Sequence, residues 1–86
     1  MVKEKVPIYL KFSLASLRVR RDFTQQEAAE RLGIGRDTLR SYERDSSKID
    51  YEMIEKIEEL YKVPKDFIFF GNSTAFSVML EESEEV

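Results

Sequence analysis

Between positions 24 and 44 the chain carries a set of hydrogen-bonding side chains: Thr24, Gln25, Arg36, Asp37, Thr38, Arg40, Ser41 and Arg44. Arginine holds its N–H donors in a rigid fork that matches paired acceptors on phosphates, carboxylates or the guanine edge. Glutamine, serine and threonine add further donors, and an aspartate can accept from an amino group such as cytosine N4. The chain has no histidine and no cysteine, which removes Ser-His-Asp and Cys-His catalysis, disulfides and Cys/His metal sites. No spacing of carboxylates or other nucleophiles suggests a catalytic pocket. The chemistry on offer is recognition, and neither an enzyme, a cofactor nor a small-molecule substrate is expected.

Two short helices must position these groups. The first spans 24–32, where Thr24 can cap the free N–H groups of the first turn and Glu27 completes a capping box. Ala28, Ala29 and Leu32 share its inner face. Gly33 ends it, because glycine takes the left-handed conformation a sharp turn needs. The second spans 36–43, with Leu39 and Tyr42 inward and Arg36, Asp37, Arg40, Ser41 and Arg44 outward. A steep crossing over a short turn requires a very small side chain where the helices meet, and Ala29 supplies it. Ile34, in the turn, plugs the second helix onto the body. This is the helix-turn-helix pattern, whose second helix enters the major groove of DNA.

Over positions 12–70 the chain resembles the Cro/CI phage-repressor (XRE) type of helix-turn-helix domain. The resemblance rests on Leu17-Arg18, Thr24-Gln25, Ala29, Leu32-Gly33-Ile34, Thr38-Leu39 and Glu43, followed by Val63-Pro64-Lys65-Asp66-Phe67-Ile68. Within that family it is most similar to the short regulators of Gram-positive phages and mobile elements. The resemblance implies an all-α, five-helix, lambda-repressor-like DNA-binding domain. It also implies that Gln25 clamps a phosphate at a helix N-terminus, where the helix field favours an anion. A partly buried salt bridge between Arg18 and Glu43 would join the first helix to the end of the third. Asp45 stands where the family commonly has glycine and Ile49 where it commonly has proline.

On this reading Arg36, at the exposed amino end of the recognition helix, is the leading base-reading residue, with two hydrogen bonds to guanine O6 and N7. Arg40 and Ser41 follow one turn on, for a base or a phosphate. Asp37 either accepts from a base or caps and orients locally. Thr24, Thr38 and Arg44 are phosphate candidates, and Gly35 lets backbone approach phosphate while reading no base. Phosphate contacts position the protein and carry no sequence information directly.

The 86-residue chain is one small domain with a formal net charge of −3, unusual for a nucleic-acid binder. The charge is uneven. Residues 1–48 hold 11 Lys/Arg and 7 Asp/Glu, a net of +4, while residues 49–86 hold 3 Lys and 10 acids, a net of −7. The basic half contains the helix-turn-helix, so the acidic total predicts weak non-specific binding rather than none. No signal-peptide pattern opens the chain and no apolar run is long enough to span a membrane, so a cytoplasmic protein is expected.

The remainder divides into three parts. Positions 1–12 read as an arm or strand, with Ile8, Leu10 and Phe12 alternating; a longer first helix begun near Pro7 is the alternative. The domain proper, 13–71, opens with a helix over 13–21 capped by Ser13, and Phe23 anchors the link to the next helix. Asp45, tolerant of the left-handed conformation, ends the recognition helix. A fourth helix over 51–62 buries Ile54, Ile57, Leu60 and Tyr61, with Glu52–Lys56 and Glu58–Lys62 as surface pairs. A fifth spans 64–70 and is closed by Gly71. Its run Phe67–Phe70 exceeds what one helix face can bury, so the tail or another subunit must cover it. The tail, 72–86, reads as a possible strand over 74–80, able to pair with 6–12, followed by a disordered acidic end.

The function expected is sequence-specific binding of double-stranded DNA as a transcriptional repressor, by a homodimer on a palindromic operator. The apolar run and the tail are the candidate dimer surface. The alternative is a protein-interaction module or antirepressor on the same fold, which should expose apolar residues where this chain places Gln25, Arg36, Arg40 and Arg44.

Overall fold

In the computed structural model, which describes residues 6–84 and the side chains of 6–82, α1, α2 and α4 each start at a capping side chain. Ser13 Oγ accepts from the Ser16 N–H at 3.1 Å and opens α1, Leu14–Arg20. Thr24 opens α2, Gln25–Leu32, through a complete capping box: its hydroxyl accepts from Glu27 N–H at 3.1 Å and its own N–H donates to Glu27 Oε1 at 2.9 Å. Gly33 then takes φ +73°, and the chain turns into α3, Arg36–Arg44. Asp50 Oδ1 accepts from Met53 N–H at 2.9 Å and opens α4, Tyr51–Tyr61. Up to this point the elements follow the expected boundaries to within a residue at each end.

Ala28 and Ala29 are wholly buried where α2 meets α3, and Leu39 closes the joint from the α3 side. Leu14 and Leu17 of α1, Ile57 and Tyr61 of α4, and Ile49 from the intervening loop complete the core, with Phe23, Ile34, Tyr42, Ile54 and Leu60 half-buried against it. Among the described residues the surface pairs expected on α4 are absent: the ion pair present is Arg18–Glu43. Glu58 instead accepts from the backbone N–H of Lys65 at 2.7 Å.

The carboxyl-terminal third differs from expectation. Only Lys65–Phe67 is helical within 64–70, as a single 3-10 turn, and Ile68 is extended. The chain there lies beside Phe12, with Phe12 N–H donating to Phe67 O at 2.7 Å and Phe69 N–H to Phe12 O at 2.8 Å. An unbroken apolar run suits an extended segment covered on both sides better than a helix with one wet face. Ile68 is accordingly buried, and Phe69 stacks on Phe76 with centroids 4.5 Å apart.

Phe76 belongs to α5, Ser73–Glu84, so the tail covers the run as a helix where a strand over 74–80 was one reading. Asn72 Oδ1 starts this helix by accepting from Thr74 N–H at 2.9 Å and Ala75 N–H at 3.2 Å; Phe76 is buried and Leu80, one turn on, is half-buried. Strand preference measures fit to a half-buried pleated surface, and no such surface was on offer. The helix includes Glu81 to Glu84 of the segment expected to be disordered; residues 85–86 lie outside the described part.

The amino-terminal segment is a 3-10 turn, Ile8–Leu10, resting on α5, rather than a strand. Residues 1–5 of the expected arm lie outside the described residues. Among the described residues the β-pair left open by the sequence is absent, and two isolated bridges stand in its place, Phe12 with Ile68 and Asp45 with Asn72. Asp45 is therefore extended at φ −150°, not left-handed, and ends α3 by pairing with the root of α5.

Candidate nucleic-acid interface

Every outward position expected on the recognition helix is exposed, Arg36, Asp37, Arg40, Ser41 and Arg44, and so is Thr38. Spacings of four residues put Arg36, Arg40 and Arg44 on neighbouring turns of one face. Gly35 is the N-cap of α3 and supplies no side-chain acceptor, which leaves the first-turn N–H groups available to an incoming anion. A Cβ at Gly35 would meet only Thr38 Oγ1, at 3.9 Å, and its φ of −75° is ordinary. Neither strain nor crowding demands glycine there. What its absence of side chain leaves is an open helix end. Asp37 stands in the same first turn, where a carboxylate is favoured by the helix dipole; among the described residues it makes no side-chain hydrogen bond.

Behind this face lies a polar network. Arg18 Nε donates to Glu43 Oε2 at 2.8 Å and Nη2 to Glu43 Oε1 at 3.3 Å, while Nη1 donates to the Phe23 carbonyl at 3.0 Å. The two side chains are 17% and 8% exposed. The salt bridge joining α1 to the end of α3 is thus present. Gln25 is drawn into it, with Nε2 donating to Glu43 Oε1 at 3.1 Å. So the side chain expected to clamp a phosphate is half-buried, and its amide already has an acceptor; the open groups at that helix end are main-chain N–H donors. Thr24 is committed to capping.

Tyr61 was placed inside by helical spacing, but its polar consequence was not legible. Its hydroxyl is buried with no hydrogen-bond partner among the described residues. Burial foremost, and then the Glu43 carboxylate, push the phenol up to about 12, with Arg18 pulling the other way. It is a neutral lid against the ion pair.

Two shallow hollows mark the ends of α3. One of about 470 Å³ is lined by Arg18, Thr24, Gln25, Gln26 and Arg36. The other, about 330 Å³, is lined by Ser41, Arg44, Asp45, Ser47 and Lys48. Both combine cations with hydroxyl or amide donors. Asp45 does not turn its charge into the second hollow unopposed: its carboxylate accepts from Ser47 N–H at 3.0 Å, which holds it below the usual carboxylate range. Gln26, Ser47 and Lys48 were not among the expected site residues; Ser47 and Lys48 are loop residues that carry no periodic signal, and Gln26 lies in the first turn of α2.

The chain is 40% identical over 55 residues to the HTH-type transcriptional regulator ImmR of Bacillus subtilis (strain 168), a match covering 64% of this chain and 43% of that protein. It is 37% identical over 51 residues to the cryptic phage CTXphi transcriptional repressor RstR of Vibrio cholerae, covering 59% of this chain and 46% of the relative. The matches thus span less than half the length of either relative. Among the described residues no helix is long and apolar enough to cross a membrane. A helix-turn-helix family model matches residues 14–68, from the start of α1 to the buried Ile68. The chain belongs to the helix-turn-helix family of the Cro/CI (XRE) type.

Proposed function

We propose that this chain is a transcriptional repressor of the cytoplasm that binds double-stranded DNA in a sequence-specific way, laying α3 in the major groove. The observation that carries the reading is the exposed face Arg36–Arg40–Arg44, presented at an uncapped helix end and backed by the partly buried Arg18–Glu43–Gln25 network. Arg36 pairs with guanine O6 and N7, and Arg40 with Ser41 reads the next step or its phosphate. The main-chain N–H groups at the start of α2 and α3 take one phosphate, with Thr24, Gln25 and Thr38 around them. Arg44, with Ser47 and Lys48, takes another. The unit that does this is the body 13–71. A homodimer would place two copies of α3 about one helical turn of DNA apart on a palindromic operator.

The reading as a protein-interaction module finds less support, because the large exposed apolar residues, Tyr9, Leu10, Val19, Tyr51, Phe67, Val78 and Met79, are all outside α2 and α3. The test is selection of duplexes from a random pool, followed by anisotropy titration across salt concentrations. Enrichment of a palindrome is expected, with log affinity falling against log salt by about 0.9 per phosphate neutralised. Arg36→Ala should relax the preference at one base pair per half-site. Failure to enrich any sequence, with no binding at low salt, would overturn the proposal.

A further inference from the structure

A hollow of about 630 Å³ lies between the carboxyl-terminal parts of α2 and α4 and shares no residue with the two at the ends of α3. Four exposed cations border it: Arg21 where α1 ends, Arg31 in the last turn of α2, Lys56 within α4 and Lys62 at its carboxyl cap. Two of the three basic residues in 49–86 thus gather in one place. Among the described residues none of the four joins an ion pair. Arg21 Nη1 donates to the Leu60 carbonyl at 2.8 Å. The Phe23 ring holds both guanidinium groups, with Arg31 4.7 Å and Arg21 5.3 Å from its centroid. Two like charges kept beside one ring, with no carboxylate paired to either, form a preset place for an anionic group. The preference of a helix carboxyl end for cations accounts for Arg31 and Lys62, but Lys56 stands mid-helix, where the dipole favours neither sign.

The order of charges along α4 says what the hollow would hold. Lys56, Glu59 and Lys62 all border it, and their spacing of i, i+3, i+6 keeps them on one side of the helix. The two lysines are about 9 Å apart along the axis. One phosphate is too small to engage both, and Glu59 between them repels a compact polyanion or a nucleic-acid backbone charged at every step. About three residues of extended chain cover the same distance. Carboxylates three residues apart would therefore meet both lysines, with an uncharged residue opposite Glu59. Leu60, half-buried in the same wall, offers that residue an apolar contact.

We propose that this hollow docks an acidic segment of a partner protein, an extended stretch with carboxylates three residues apart and an apolar residue between them. The chain's net charge of −3 repels such a segment elsewhere, so the attraction is confined to this patch. Helix α2 sets the patch apart from the reading head. Gln25 and Gln26 at its amino end line the hollow beside Arg36, while Arg31 and Leu32 at its carboxyl end line this one. Eight residues of helix, about 12 Å, separate the two, so a partner and DNA can be held at the same time. The proposal stands on the charges of the hollow and does not depend on the DNA reading.

Selection of random twelve-residue peptides displayed on phage, against the full chain without DNA, tests this. The leading sequence is then made as a fluorescein-labelled peptide and titrated by anisotropy. Enriched peptides should carry two acidic residues three apart with an apolar residue between. Lys56→Glu combined with Lys62→Glu should weaken binding by about tenfold or more, with helix content by circular dichroism unchanged. Should that double variant lose its helix content, Lys56→Gln alone, at an exposed mid-helix position, should weaken binding by about two- to fivefold. Arg36→Ala should bind the peptide as the parent does. Failure to enrich acidic sequences, or a folded charge-reversal variant that binds as tightly as the parent, would overturn the proposal. So would displacement of the peptide by an equal concentration of inorganic tripolyphosphate, which would mark a site for compact anions, or of random-sequence duplex DNA, which would mark a nucleic-acid contact. Peptide binding lost in K56E/K62E, when no duplex can be selected by the chain, would uphold the hollow and reject the DNA reading.

Discussion

Residues 24–44 and residues 65–84 lie on the same core, yet different forces shape them. In the first stretch each bend has a local cause: a capping box at Thr24 and Glu27, a glycine at φ +73°, a pair of buried alanines at the helix crossing. In the second, Phe67–Phe70 and 74–80 have no shape of their own. They become an extended strap and a helix because Phe12 offers backbone partners and Phe69 and Phe76 find each other. Function follows the same division. On the function proposed above, a head that reads DNA must keep its geometry before it binds and is locally determined, whereas a covering helix has only to cover.

Cutting the network behind the head should have the largest effect. Arg18→Ala strands the Glu43 carboxylate and should cost roughly 3–5 kcal/mol in urea unfolding, with amide protection falling at the α1–α3 joint. Next comes the strap. Phe76→Ala should cost about 3 kcal/mol, and hydrogen exchange should rise across α5 and the Phe12–Ile68 bridge while α2 amides keep their protection. If α2 loosened equally, the two regions would be one cooperative unit and the contrast would fail. Gly33→Ala meets no atom within 4 Å, so its cost of roughly 1–2 kcal/mol is purely the left-handed backbone; Gly33→Asn should recover part of it.

The smallest effect sits in the capping box. Hydrogen bonds from Thr24, the backbone N–H first, hold the Glu27 carboxyl below its ordinary value of 4.5. A carboxylate depressed in the folded state contributes stability that is complete above its unfolded value and lost as pH falls through the folded one. Glu27→Gln should therefore flatten the acid limb of stability against pH and leave neutral stability little changed.

The same division governs what the sequence made legible. The four helices from Ser13 to Tyr61 and the turn at Gly33 could be read from types and spacings, because caps, glycines and apolar periods act over a few residues; the Arg18–Glu43 bridge, whose partners are 25 residues apart, was legible only through the family resemblance. The carboxyl-terminal helix could not, since 74–80 is rich in residues that also suit strands and the helix packs against the 3-10 turn Ile8–Leu10, which is distant in the chain. At the site, the exposed arginines were legible from periodicity. Capture of Gln25 by Glu43 was not, because it depends on where α2 begins relative to where α3 ends, and that offset is tertiary.

Ser46 carries a topological consequence. It is 4% exposed; its N–H donates to Gly71 O at 3.0 Å and its hydroxyl accepts from Gly71 N–H at 2.9 Å. The chain leaves this clasp as the loop into α4 and returns to it 25 residues later, so α4 hangs from a closed ring whose base is fixed. Lengthening the turn between α4 and the 3-10 segment would enlarge the ring without moving its base, leaving α3 and the root of α5 in their relative places. The spacing between α3 and the root of α5 is then insulated from changes in α4, which makes that turn the natural place to splice in foreign sequence.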